Sequence, residues 1–131
     1  MAHSVSIASC NLHGLNQGRT LLENMCDCFD IIAVEEHWLS SCDLDKLTCF
    51  HSDFLGYAWS AMTDKLESSI LLGRPYGGLG LLVNKLLNVK VMPLACQSNS
   101  RSVVVSLPFP NRYTLLLSIV YFPCYKTDLV Y

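Results

Sequence analysis

The sequence predicts a mixed α/β domain, and three observations carry the prediction. A strand-like segment, an amphipathic helical stretch and a continuous apolar run follow one another within the first 35 residues. Five β-rich segments make up most of the remainder, and turn chemistry separates them at short intervals. At 131 residues the chain has the size of one ordinary domain with no room for a second core, so residues 1–131 are expected to form a single unit.

The first segment, "SVSIASC" (4–10), sets Val5 and Ile7 two apart among small residues, the period of a strand, and Asn11 and Gly14 break it. Between Arg19 and Phe29 the apolar positions Leu21, Leu22, Met25, Cys26 and Phe29 recur at helical spacing, with Glu23, Asn24 and Asp27 outward. Asp30 ends this helix and "IIAV" (31–34) begins a second strand. Strand, helix and strand within about 30 residues make a βαβ unit, whose crossover renders the two strands parallel. Both strands then end at one sheet edge. Asn11 and the Glu35–Glu36 pair therefore sit at the carboxyl ends of neighbouring strands, where open α/β sheets place their ligand crevices.

A short helix is expected after Trp38, with Ser40 or Ser41 as its N-cap and Leu44, Leu47 and Phe50 on one face. Strands are then expected over "YAWSAM" (57–62), "GLGLLVN" (78–84), "VKVMPLAC" (89–96), "RSVVVSLP" (101–108) and "YTLLLSIVYF" (113–122). The turns "GRPYGG", "NKLLN", "QSNS" and "PFPNR" are too short for crossovers, so these strands should pair antiparallel as a meander, with Pro110 and Asn111 in a hairpin loop.

Hydrophobic residues make up 51% of the chain and charged residues 15%, and mean hydropathy is +0.33, so some apolar surface is expected to remain uncovered. The net charge of −2 is dispersed without a run of like charges. That excludes a non-specific nucleic-acid grip built on clustered Lys and Arg; any DNA or RNA contact has to be local. The opening "MAHSVSIASC" carries neither a basic leader nor a long apolar stretch, and "LLLSIVYF" is far short of a membrane span. A soluble intracellular protein, nuclear or cytoplasmic and without a membrane partner, is expected. The seven cysteines are odd in number and lack a C-x-x-C pair, which reads as small buried reduced thiols rather than a disulfide framework. Cys26 and Cys28 with His37 or His51 have neither the spacing nor the count of a structural zinc site.

Adjacent strand residues point to opposite faces, so Glu35 and Glu36 enter one pocket only if the backbone has left the strand. One carboxylate at a strand end suits Mg²⁺, which keeps several waters and takes one or two carboxylates plus substrate phosphate; solvated loop acids are the ordinary alternative. Asn11 can orient a catalytic group or bond a phosphate oxygen, and "NLHG" equally fits a plain turn. "GRPYGGLG" (73–80) precedes a strand and lacks a Lys-Ser/Thr partner, so its glycines read as a sharp turn with close backbone approach rather than a phosphate cradle. Arg74 is the one basic residue of that loop and is a candidate for a substrate phosphate or for solvent. Tyr121 places a hydroxyl at the end of the last strand, or is a half-buried strand tyrosine.

Taken in order, "SIASCNLHGL", "FDIIAVEEHWL", "GRPYGGLGLLV", "SRSVVVSL" and "LLLSIVYFP" resemble the first half of the endonuclease/exonuclease/phosphatase superfamily. The resemblance is above all to the apurinic-type endonuclease domains of LINE-type, non-LTR retrotransposons. It implies a four-layer α/β sandwich and hydrolysis of a phosphodiester with Mg²⁺ (or Mn²⁺). It assigns Asn11 to the active-site asparagine, Glu36 to the metal-binding glutamate and Tyr121 to the active-site tyrosine of a "Tyr-x-Pro" segment. Glu35 replaces the usual glutamine, and Arg101 matches a frequent arginine without an assigned role. His13 stands where related repair enzymes carry an acid, so no auxiliary metal contact is implied there.

The family's second half supplies an Asp-x-Asn pair and a Ser-Asp-His segment, and nothing in "CYKTDLVY" matches them. The expected fold is thus a partial sandwich: a first mixed sheet with flanking helices, the second half missing. Leu79, Leu81, Val83, Val103, Val105, Leu115, Leu117 and Ile119 would then leave a large patch in water, with low solubility or dependence on a partner. The expected function is the N-terminal half of a Mg²⁺-dependent DNA endonuclease, inactive alone, with DNA as partner when the domain is complete. The alternatives are a non-catalytic remnant or interaction module, or a phosphodiesterase acting on phosphoinositides or phospholipids.

Overall fold

The computed structural model describes residues 4–61, 76–96, 101–110 and 112–122. Among these the order is β1 (Ile7–Asn11), α1 (Leu15–Cys28), β2 (Ile31–Glu35), a 3₁₀ turn (Ser41–Asp43), α2 (Asp45–Thr48), β3 (Phe54–Trp59), β4 (Leu79–Asn84), a second 3₁₀ turn (Lys85–Leu87), β5 (Met92–Cys96), β6 (Ser102–Pro108) and β7 (Thr114–Val120). The strands form two sheets. One is four-stranded and mixed, ordered β1-β2-β4-β3; the other is three-stranded and antiparallel, ordered β5-β6-β7.

The βαβ unit forms as its sequence requires. β1 and β2 run parallel, from Ile7 beside Ile31 to Asn11 beside Glu35. A clasp fixes their start: the Asp30 carboxylate accepts from the Ser6 N–H at 3.0 Å and from its hydroxyl at 3.1 Å, and the Ile31 N–H donates to the Ser6 carbonyl at 3.0 Å. The crossover helix α1 begins a turn before Arg19, because Gly18 lies on Leu12, where a Cβ would come within 2.7 Å of the Leu12 side chain. Its buried stripe is Leu15, Gly18, Leu22 and Cys26; Leu21, expected inward, is half exposed.

β2 is apolar without alternation because it is covered on both faces, the mark of a central strand. Ile32 and Val34 pack with Leu22, Leu47, Phe54 and Leu82 beneath the helices, while Ile31 and Ala33 face the second sheet. The expected single meander is therefore corrected. β4 pairs with β2 and β3 and not with β5, since the chain is redirected between them: the Asn84 side chain accepts from the Leu86 N–H at 2.9 Å, and Asn88 takes a left-handed turn at φ +50°. Val89 and Val91 then enter the core between the sheets.

That crossing overturns the expected apolar patch. Leu79, Leu81 and Val83 are fully buried against Val103, Val105 and Ile119 of the second sheet, with Leu115 and Leu117 partly buried beside them. Each sheet is the other's cover. The outer face of the three-stranded sheet stays open, with Met92, Leu94, Leu116 and Val120 exposed on it. The expectation of buried thiols is also corrected: Cys26 is buried and Cys10 half-buried, and burial pushes both thiols up to about 11, but Cys28, Cys42 and Cys49 are exposed. No helix among the described residues is long and apolar enough to cross a membrane.

Candidate functional site

The carboxyl ends of β1 and β2 meet a backbone lacing that shapes the candidate site. The loop after β1 is tied to the segment after β2 by Leu12 N–H to the Glu35 carbonyl (2.9 Å), Gly14 N–H to Glu36 (2.8 Å) and Leu15 N–H to His37 (3.0 Å). From the other side, the Glu36 N–H donates to the Gly78 carbonyl and the Trp38 N–H to Gly77, both at 2.9 Å. Holding three chains this close forces His13 (φ +50°), Glu36 (φ +55°) and Trp38 (φ +61°) into the left-handed region, which bulky side chains rarely adopt. Such conformations persist only where surrounding contacts over-determine them, and they concentrate at functional sites.

The left-handed turn resolves the problem of the paired acids. β2 ends at Glu35, and Glu36 leaves the strand direction. Glu35 lines a cleft of about 380 Å³ between β1 and β7, together with Ile7, Ser9, Ala33 and Leu117. Burial, then the neighbouring charge of Glu36, raises its carboxyl above the ordinary range. Glu36 instead meets the second sheet: the Tyr121 hydroxyl, just past β7, donates to Glu36 Oε1 across 85 residues of sequence. The Tyr121 N–H donates to the Arg101 carbonyl at 2.8 Å, which anchors the tyrosine to the start of β6.

Asn11, Glu36 and Tyr121 thus lie at one rim, the first two on neighbouring parallel strand ends and the third joined to Glu36 by a hydrogen bond. Asn11 is exposed, and its side-chain oxygen accepts from the His13 N–H at 3.0 Å, shaping the loop. Arg74 lies outside the described residues. The glycines of the same stretch make the sharp turn and close backbone approach expected of them, with Gly77 at φ +65° and Gly78 at φ +95°.

Two histidines make contacts at the site that the sequence did not indicate. His37 is fully buried: Nε2–H is shared between the carbonyls of Trp59 (2.9 Å) and Leu79 (3.2 Å), and Nδ1 accepts from the Leu39 N–H (2.9 Å). This pattern fixes the neutral tautomer and leaves no lone pair for a metal. Burial lowers its pKa. Any Cβ on Gly78 would collide with its ring. A lone histidine beside two acids gives no hint in sequence that its partners are carbonyls more than 20 residues away. The second is His13, whose Nδ1 stands 3.8 Å from Glu36 Oε2 and whose ring packs edge-on against Trp38 at 4.7 Å.

Among the described residues no group of three or more His, Cys, Asp and Glu side chains converges as a metal cage. The donor set of one anchored carboxylate at an accessible rim fits a cation that completes its shell with water and phosphate oxygens, and does not fit a structural metal. No protein-family model matches this chain, and no curated protein matches it.

Proposed function

We propose that this chain carries one side of the active site of a Mg²⁺-dependent phosphodiesterase, a DNA endonuclease of retroelement type, with the rest of the site supplied by a second half of the same sandwich. The observation that carries the reading is the Tyr121–Glu36 hydrogen bond, which ties the end of β2 in one sheet to the end of β7 in the other. A carboxylate held in this way is pre-oriented, and pre-orientation is what a metal ligand needs. Glu36 would hold the ion, Mg²⁺ or Mn²⁺. When bound, the ion supplies charge to a phosphoryl oxygen. Tyr121 fixes the Glu36 carboxylate and presents its hydroxyl at the rim; Asn11, on the neighbouring strand end, offers its amide to a phosphate. Arg74 remains a proposed phosphate contact.

The test is nicking of supercoiled plasmid in Mg²⁺ by this chain and by a form extended downstream. The extended form should nick, and Glu36→Gln should lower its rate at least about 100-fold. Undiminished nicking by the variant removes Glu36 from the metal. A second reading, a non-catalytic interaction module, is favoured by the apolar outer face of the three-stranded sheet. A failure of the extended form to cleave plasmid DNA or a phosphoinositide would leave that reading in place.

A further inference from the structure

We infer that His13 is a second, nitrogen ligand of the cation at Glu36, and that the pair makes this site favour a transition ion such as Mn²⁺ over Mg²⁺. The inference rests on the metal reading of Glu36 given above. Its geometry begins with the tyrosine: because the Tyr121 hydroxyl bonds Oε1, the carboxylate turns its other oxygen, Oε2, toward the loop after β1. There His13 Nδ1 stands at 3.8 Å, too far for a hydrogen bond. Two ligands each about 2.1 Å from one ion lie roughly 3.0 Å apart at a right angle and roughly 4.2 Å apart in line. The observed separation lies between the two, so a closure of about 0.8 Å by the exposed imidazole would bring the pair to adjacent positions around one ion.

The loop is built to keep the imidazole there. His13 is held in the left-handed region by its N–H bond to the Asn11 side chain and by the Gly14 bond to the Glu36 carbonyl, and its ring leans on Trp38. Its side chain is 80% exposed, which leaves room for the waters and phosphate oxygens that complete the shell. An imidazole nitrogen adds little to the binding of Mg²⁺, a hard ion that takes oxygen, and more to that of a first-row transition ion.

The experiment uses the full chain, with MnCl₂ and MgCl₂ as probes, since Mn²⁺ has little affinity for the exposed thiols. Binding is read from quenching of tryptophan fluorescence and from paramagnetic broadening of the His13 ring signals. Wild type should bind Mn²⁺ about tenfold more tightly than Mg²⁺. His13→Asn keeps a residue tolerant of the left-handed backbone and should erase that advantage, with amide spectra otherwise unchanged. His13→Asp replaces nitrogen by oxygen and should tighten Mg²⁺ binding. Glu36→Gln should weaken both ions. An unchanged Mn²⁺ to Mg²⁺ ratio in His13→Asn, with Glu36→Gln still weakening both, overturns the His13 assignment alone. Binding that survives Glu36→Gln overturns the metal reading beneath it.

Discussion

The two sheets share one core but differ in what they present to the outside. The four-stranded sheet is covered twice, by the helices and by its partner sheet, so β2 and β4 are buried along almost their whole length. The three-stranded sheet is covered once: β6 alternates half-buried with buried positions, and β7 alternates exposed with inward ones. The contrast teaches that a greasy composition has two meanings here. In the first sheet it is a central strand layer; in the second, where Met92, Leu94, Leu116 and Val120 remain bare, it is surface.

Substitutions on either side should break this comparison or sharpen it. The largest effect is expected at the shared core, where Leu81→Ala removes a fully buried side chain and should cost about 2–5 kcal/mol in urea unfolding. At the laced rim, Gly78→Ala introduces a Cβ into the His37 ring at φ +95° and should cost about 2 kcal/mol, with a matching loss of Mn²⁺ binding as Glu36 is displaced.

The buried imidazole gives a third test, in pH. The folded-state pKa of His37 is depressed below 6.5, so the unfolded chain takes up a proton that the folded chain refuses. The stability this confers is present above about pH 6.5 and is lost as pH falls from there toward the folded pKa, by at most about 1.4 kcal/mol per unit. His37→Gln should lower stability at pH 7.5 and flatten the profile in that window. The smallest effect belongs to the bare sheet: Leu116→Lys on β7, at a position 64% exposed, should change stability by no more than about 0.5 kcal/mol while raising the concentration at which the protein stays monomeric, read by light scattering.

Much of the first sheet was legible from sequence. The βαβ period predicted the parallel pair, and with it the shared rim of Asn11 and Glu36. β3 lay three residues earlier than its aromatic run implied, because Phe54 and Leu55 already pair with β4 and Gly56 packs on the backbone of Thr48. Sheet membership was not legible: Asn84 and Asn88 look like ordinary hairpin residues, and only tertiary packing of Val89 and Val91 shows that the chain changes layers there. At the site, no local pattern in the sequence pairs Tyr121 with Glu36, which lie 85 residues apart. The roles of His13 and His37 depend on backbone turns and distant carbonyls that residue spacing does not encode.

The position of β2 between a strand that precedes it and one that follows after a long interval bears on how the protein is made. On the ribosome, β1, α1 and β2 emerge together and can assemble at once, but the free edge of β2 stays unpaired until Leu79–Asn84 is synthesised. At about 5 to 20 residues per second that wait lasts seconds, long enough for a nascent chain to attract chaperones. Slowing translation between residues 36 and 78 should therefore lower soluble yield.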